Sequence, residues 1–407
     1  MPDTHRNIID YVRETNETFS QSPFNPVDSL VLSQLSYARL ERVKDELDLP
    51  KTGVFGRSPA PRVKDFFRGE FFRRVFDDDI SDESNLELFA FAAASPRFRD
   101  LQILNIEAEM DRDIEAQFGA MTFVLDDTTD YIAFRGTDGN LLGWKEDFNM
   151  SFMEEVPSQG MAVDYINRFF GEKDRRGRRR RVIIGGHSKG GNMAIYGGLK
   201  CDGGIHSRII QIFSHDGPGF RSDVLEKLQE IQDRDNIYVR KLVPKASIIG
   251  MLMSDTGDYE VVDCQGVGIM QHYAFAWAVE GMDFVYCDGL SQAGEFNDRT
   301  IRDWLTSATY EERENFTETL YGLLVNNGIN TLTDLKNLTP GKIVTIVASL
   351  GSVDEESRKN FFRIFRSLAS ASLRQLAPGD RRRTRDDRGD REDSDDHVNS
   401  ERDGQIE

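Results

Sequence analysis

Residues 182–194 are Val-Ile-Ile-Gly-Gly-His-Ser-Lys-Gly-Gly-Asn-Met-Ala, and this stretch decides the fold. The β-branched run at its start favours a buried strand, and the residues after the last glycine begin like a helix. Between them stands Gly-x-Ser-x-Gly, the pattern of a sharp turn that lifts a serine hydroxyl clear of the backbone. The helix that follows points its positive N-terminus at that hydroxyl. The stretch therefore predicts a nucleophile elbow, with Ser188 as the nucleophile.

Strand-like and helix-like segments alternate around this turn. Strands are predicted at 121–125, 131–134, 182–186, 209–214, 237–243 and 260–264, and helices at 157–172 and 222–234. Such alternation produces a parallel sheet with helices on its faces. Beyond residue 295 the pattern is helical only, and Thr309-x-x-Glu312 is a capping box at the start of one of these helices. We expect an α/β fold with a mostly parallel central sheet and a C-terminal helical region.

The chain divides into four segments by composition. Residues 1–25 are polar and are predicted to be a flexible N-terminus, and residues 26–294 hold the α/β domain. The helices of 295–377 have more apolar surface than short helices bury among themselves, so they are expected to pack on that domain. Residues 378–407 are dense in Arg and Asp with almost no apolar side chains, which predicts a disordered tail.

Composition excludes several classes of function. The 407-residue chain has a net charge of −19, which argues against nucleic-acid binding because that needs a basic footprint. Residues 1–16 are polar and charged, without the basic start and apolar run of a signal peptide, and no apolar run approaches the about 18 residues that a transmembrane helix needs. The three cysteines are an odd number without a C-x-x-C spacing, as in a reducing compartment, so we expect a cytoplasmic protein. No phosphate-binding, dinucleotide or metal-ligand motif is present, and no cofactor is expected.

A serine nucleophile needs a base, and the chain offers few. Of its six histidines, two lie near the chain ends and one lies inside the elbow. The remaining three are His206, His215 and His272. Where the chain order is serine, acid, histidine, the base follows the last strands of the sheet. His272 occupies that place and is the predicted base.

The acid that orients the base is predicted at Asp216. It follows the strand 209–214 in a turn rich in Gly and Pro, and the carboxyl ends of parallel strands are where α/β sites are built. Asp255, Asp258 and Asp263 are the alternative acids.

Oxyanion donors are expected from two backbone N–H groups. One belongs to Lys189, the residue after the nucleophile, and the other to a loop at the end of an earlier strand. The segment 134–139 is such a loop. It predicts Thr137 as the second donor, through its N–H and its hydroxyl.

Several of these motifs together resemble known families. Class 3 lipases share Ala133-Phe-Arg-Gly-Thr137, then Trp144 and Asp147, then Gly186-His-Ser-x-Gly-Gly191. A closer resemblance, to an uncharacterised bacterial α/β-hydrolase-like family related to those lipases, rests on Leu32-Ser-Gln-Leu-Ser-Tyr37, Gly186-His-Ser-Lys-Gly-Gly-Asn192, Asp216-Gly-Pro-Gly-Phe220 and Gln271-His272. It spans about residues 25–370. The resemblance implies an α/β-hydrolase fold with nucleophile Ser188, base His272 and oxyanion residue Thr137.

Two departures from the lipase pattern bear on activity. Class 3 lipases have their acid shortly before a Val-Pro step, but no carboxylate precedes Val243-Pro244 closely in this chain. Lys189 stands where the lipases usually have an apolar residue, and it either favours an anionic substrate or is a paired side chain. The leading hypothesis is a serine hydrolase acting on a small-molecule ester or an acyl lipid. The alternative is a catalytically inactive hydrolase-fold protein that serves as a binding or regulatory module.

The tail is predicted to be dispensable. Its few apolar side chains cannot offset the entropy lost on ordering. A chain truncated after Ala377 should keep the melting temperature and the activity of the full-length protein. A clear fall in either would show that the tail contributes to the folded structure.

Overall fold

The computed structural model describes residues 5–47, 60–76, 82–171, 179–253 and 259–374. The strands are β1 (Gln102–Asp111), β2 (Ala116–Val124), β3 (Thr129–Phe134), β4 (Arg181–His187), β5 (Ile209–His215), β6 (Val239–Pro244), β7 (Tyr259–Val262), β8 (Val279–Glu280), β9 (Asp283–Phe284) and β10 (Tyr286–Cys287). The helices are α1 (Ile8–Glu14), α2 (Pro26–Leu35), α3 (Phe72–Val75), α4 (Asp82–Ala94), α5 (Leu141–Asn149), α6 (Pro157–Phe170), α7 (Lys189–Lys200), α8 (Gly203–His206), α9 (Ser222–Asp235), α10 (Gln292–Thr306), α11 (Tyr310–Asn326), α12 (Leu332–Lys336), α13 (Pro340–Ser349) and α14 (Glu355–Arg374).

An eight-stranded sheet forms the centre of the molecule, in the order β1-β2-β3-β4-β5-β6-β7-β10. Strands β3 to β7 are parallel to one another. The edges are antiparallel, with β1 and β2 on one side and β10 on the other. Strands β8 and β9 form a separate hairpin. The predicted mostly parallel sheet is confirmed.

Helices cover both faces of the sheet because the central strands are apolar on both sides. In β3, Tyr131 and Ala133 belong to one buried cluster with α1, α2 and α4. Their neighbours Ile132 and Phe134 belong to a second cluster with α6, α7 and α9. Alternate residues of a strand point to opposite faces, so one strand supplies both cores. This double covering is the reason for the continuous apolar runs in the sequence.

The N-terminal residues differ from the sequence-based expectation. Helix α1 is capped by Asn7, and its Ile8 and Tyr11 are fully buried. The Tyr11 hydroxyl donates to Asp28, which is also paired with Arg97 at 2.5 Å. The prediction of a flexible N-terminus over 1–25 is therefore wrong for the described part of that segment. The segment is polar on average, but four apolar residues of α1 join the core. Residues 1–4 lie outside the described ranges.

The C-terminal helices form a small core of their own and also contact the α/β domain. Side chains of α10, α11 and α14 share a buried cluster that includes Phe316, Phe361 and Ile364. Thr309 and Glu312 form the predicted capping box at the start of α11. The predicted tail, residues 378–407, lies outside the described residues. No helix within the described ranges is both long and apolar enough to cross a bilayer.

Ile8→Ala should lower the free energy of unfolding by about 2–5 kcal/mol, because truncating a buried aliphatic side chain leaves a cavity. Asn16→Ala, at an exposed position just beyond α1, should change it by less than about 0.5 kcal/mol. Urea unfolding followed by circular dichroism measures both. Equal, small effects of the two substitutions would contradict the packing of α1.

Candidate active site

Ser188 stands on a strained turn between β4 and α7. Its φ of 59° and ψ of −132° lie where L-residues rarely occur. Three backbone segments meet there without side chains between them. A Cβ on Gly186 would lie 2.2 Å from the carbonyl carbon of Gly190, and one on Gly190 would lie 2.2 Å from the Phe134 oxygen. The Ser188 N–H donates to the His215 carbonyl at 2.9 Å, which fixes the turn to β5.

Asp216 and His272 form a direct contact. The Nδ1 atom of His272 lies 2.6 Å from Oδ2 of Asp216, a residue that is fully buried at the end of β5. The second carboxylate oxygen accepts from the Ser247 hydroxyl at 2.6 Å and from the Gly250 N–H at 3.1 Å. An ionised carboxylate accepts only, so Nδ1 is the donor and Nε2 keeps a lone pair. This tautomer is the one that a general base needs.

His187, inside the elbow, contacts the backbone of His272. Its Nε2 lies 2.8 Å from the His272 carbonyl oxygen, and the two rings are 4.6 Å apart. Its Nδ1 lies 3.2 Å from the Tyr37 hydroxyl. Burial lowers the pKa of His187 to about 3. His187 is therefore neutral. Because it directly precedes Ser188, its hydrogen bond holds the backbone of His272 close to the elbow.

No hydrogen bond joins the Ser188 hydroxyl to His272 among the described residues. The hydrogen bond from His187 to the His272 carbonyl nevertheless keeps His272 next to the elbow. Hydrogen bonds of this kind are often long in the absence of substrate and shorten when it binds.

The alternative acids and bases have other partners or lie outside the described residues. Asp263 pairs with Lys245 and accepts from the Cys264 N–H. Asp255 and Asp258 are in the part of the chain that the structure does not describe. His206 contacts Asp235 at 2.6 Å, and His215 contacts the Ser29 hydroxyl at 2.8 Å. Of the predicted residues, the structure brings together Asp216 and His272.

Two backbone segments, at Lys189 and at 136–137, lie next to Ser188. Lys189 is the first residue of α7, and the first N–H groups of a helix have no partner within it. Thr137 follows the end of β3, and a Cβ on the preceding Gly136 would lie 3.1 Å from Cβ of Ser188. The backbone at Gly136 therefore lies against Ser188.

The side chain of Lys189 points into the protein. Its ammonium donates to the Gln117 carbonyl and to Glu146, each at 2.9 Å, and both charged side chains are fully buried. Glu146 also accepts from the backbone N–H groups of Gln117 and Ser158, at 3.0 and 2.8 Å. The lysine is thus a paired side chain and does not face a substrate.

Asp147 orients Thr137, a role that sequence analysis did not assign. The Thr137 hydroxyl donates to Oδ2 of Asp147 at 2.6 Å. The other carboxylate oxygen is buried and has no partner among the described residues, although the residue as a whole is partly exposed. Burial raises the pKa of Asp147 to about 6, and nearby Lys189 opposes that rise. The motif that includes Trp144 and Asp147 was the only signal for this residue in the sequence.

The parallel strands β3 to β7, the serine turn between β4 and α7 and the acid after β5 define an α/β-hydrolase fold. The model of the Mbeg1-like family matches residues 92–322, and the chain belongs to that family. Among the described residues, no group of three or more His, Cys, Asp or Glu side chains is placed to hold a metal ion.

Several solved structures of lipases are similar to this chain. The Rhizomucor miehei lipase in its propeptide complex is 16% identical, over 66% of this chain and 73% of that one, with a TM-score of 0.36. The lipase from Rhizopus microsporus var. chinensis is 11% identical over 65% and 77%, with a TM-score of 0.38. Lipase II from Rhizopus niveus is 11% identical over 64% and 85%, with a TM-score of 0.34. No curated protein sequence matches the chain.

Asp147→Asn tests the burial of the carboxyl beside Thr137. With its pKa raised from 3.8 to about 6, the folded protein binds more protons than the unfolded chain between these pH values. The free energy of unfolding of the wild type, relative to the variant, should therefore fall as pH rises from about 4 to about 6 and then level off. Urea titrations at half-unit pH steps measure this difference. A difference that stays constant across the window would contradict the raised pKa.

Proposed function

We propose that this protein is a serine hydrolase that cleaves an ester or an acyl lipid, with Ser188, His272 and Asp216 as its catalytic triad. The observation that carries the proposal is the 2.6 Å contact between His272 and a buried, fully hydrogen-bonded Asp216, beside a serine on a strained turn. A carboxylate, an imidazole and a serine in a strained conformation seldom lie together for stability alone, and such groups cluster at functional sites.

The proposed reaction runs in two halves. The Ser188 oxygen attacks the carbonyl carbon of the substrate while Nε2 of His272 takes its proton. The oxygen of the tetrahedral intermediate accepts hydrogen bonds from the N–H groups of Thr137 and Lys189. The C–O bond then breaks, and His272 returns the proton to the departing alcohol. Water, deprotonated by the same histidine, then attacks the acyl-enzyme; the bond to the Ser188 oxygen breaks, His272 returns the proton to that oxygen, and the acid is released.

Apolar residues near the base support an acyl substrate. Val267, Ile269 and Met270 lie in the segment just before His272, and Val267 is 85% exposed. Large apolar side chains grouped at a site mouth favour contact with an apolar partner. The buried Lys189–Glu146 pair offers no free cation for an anionic group. These features favour a neutral acyl ester over a charged substrate.

The proposal includes a compartment, which the cysteines indicate. Cys201, Cys264 and Cys287 are free thiols, which supports a reducing compartment such as the cytoplasm.

The missing hydrogen bond between Ser188 and His272, among the described residues, favours the alternative of a binding or regulatory protein without turnover. Covalent labelling separates the two, because an activated serine reacts whatever the natural substrate is.

Wild-type protein should be labelled by a fluorophosphonate probe, and Ser188→Ala should not be. Cleavage of a short-chain p-nitrophenyl ester should fall by roughly 10⁴–10⁶-fold in the same variant. Ser207→Ala, at an exposed serine, is the matched control and should behave as wild type. Unlabelled wild-type protein would support the non-catalytic alternative, and labelling that persists in Ser188→Ala would refute the nucleophile.

Asp216→Asn tests the acid. The amide cannot hold His272 in the required tautomer, so esterase turnover should fall by about 10⁴-fold while the fold is retained. Asp263→Asn, which alters an acid paired with Lys245, should leave turnover within a factor of a few. The reverse pattern would transfer the role of the acid to Asp263. Circular dichroism checks the fold of both variants.

A further inference from the structure

The C-terminal helical region reaches back to the segment that follows Thr137. The N–H of Leu141 donates to the Asn330 carbonyl at 2.9 Å, and the N–H of Leu332 donates to the Gly139 carbonyl at 2.8 Å. These two bonds form an isolated antiparallel bridge centred on Asn140 and Thr331. The bridge begins two residues after the proposed oxyanion donor.

Further contacts hold α5 along its length. The Lys145 side chain is only 3% exposed. Its ammonium pairs with Glu318 of α11 at 2.7 Å and lies 4.8 Å from the centre of the Tyr321 ring. Beyond the C-terminal end of α5, Arg313 donates to the Ser151 carbonyl at 2.6 Å. The region from Arg313 to Leu332 thus contacts the start, the middle and the end of the α5 segment.

The other contacts of α5 lead directly to the proposed site. Glu146 accepts from the Lys189 ammonium, and Asp147 accepts from the Thr137 hydroxyl. One short helix is therefore fixed to the C-terminal region by Lys145, to the elbow by Glu146 and to Thr137 by Asp147.

We propose that the segment 313–332 positions the Thr137 oxyanion donor through α5, so that the C-terminal region is part of the catalytic apparatus. This inference rests on the proposed function. Thr137 lies in the short connection between β3 and α5, and the bridge fixes the far end of that connection. Displacement of a catalytic group by about 1 Å costs up to about 10²-fold in rate, so a loosened bridge should slow acylation.

Leu332→Pro removes one bond of the bridge with little other disturbance. Leu332 is the first residue of α12, where proline is favoured because its missing N–H has no helical partner. Thr331 has φ −134° and ψ 162°, the extended backbone that a following proline requires. The substitution therefore deletes the donor to Gly139. Leu332→Ala keeps that N–H while it shortens the side chain, and it is the matched control.

Two readouts on the full chain decide the proposal. Hydrogen–deuterium exchange of peptides that cover residues 137–149 should be faster in Leu332→Pro than in Leu332→Ala. Esterase turnover, kcat, should fall between about 10- and 100-fold in the proline variant with KM unchanged, because oxyanion donors act in the transition state. The second-order rate of fluorophosphonate labelling should fall in parallel.

Equal exchange in the two variants would overturn the proposal, and so would faster exchange with unchanged kcat. If Leu332→Pro does not fold, Glu318→Gln replaces it, with Glu314→Gln, at an exposed position on the same helix, as control. Failure of the proposed function has a different signature. Wild-type protein would then show neither labelling nor turnover, while the exchange of 137–149 would still report whether the bridge holds this segment.

Discussion

The close backbone contact around Ser188 is the constraint on which the rest of the site depends. Gly186, Gly190 and the end of β3 approach so closely that no side chain fits between them. That approach forces the serine into its strained conformation, and the surrounding sheet and helices supply the packing that maintains it. The same contact brings the β3 end, with Thr137 after it, against the nucleophile.

A buried ion pair joins this elbow to α5. Lys189 and Glu146 are both fully buried, and a pair of this kind gives geometric definition more than stability, because desolvation offsets much of the attraction. The Glu146 carboxylate also accepts hydrogen bonds from two backbone N–H groups, so both of its oxygens have partners. Elbow and α5 are thus fixed to each other, and the C-terminal region contacts the same helix through Lys145.

Local patterns predicted the sheet and the residues that now stand as the proposed triad. Ser188 lies in a turn motif with flanking strand and helix, and Asp216 at a strand end, so both are proposed from short-range signals. Helix α1 was missed because its few buried residues are hidden in a polar average. The roles of His187 and Asp147 depend on partners far away in the chain, and no local pattern encodes such contacts. The pairing of Lys189 with Glu146 is also a contact between residues far apart in the chain, and the sequence did not reveal it.

The most direct test of the central claim is a crystal structure of the protein after reaction with a fluorophosphonate. We predict a phosphorus atom bonded to the Ser188 oxygen, with a phosphoryl oxygen about 2.7–3.1 Å from the backbone nitrogens of Thr137 and Lys189. We also predict that Nε2 of His272 faces the Ser188 oxygen while Nδ1 keeps its contact with Asp216. An unmodified Ser188, or an adduct whose phosphoryl oxygen points away from both nitrogens, would contradict the account.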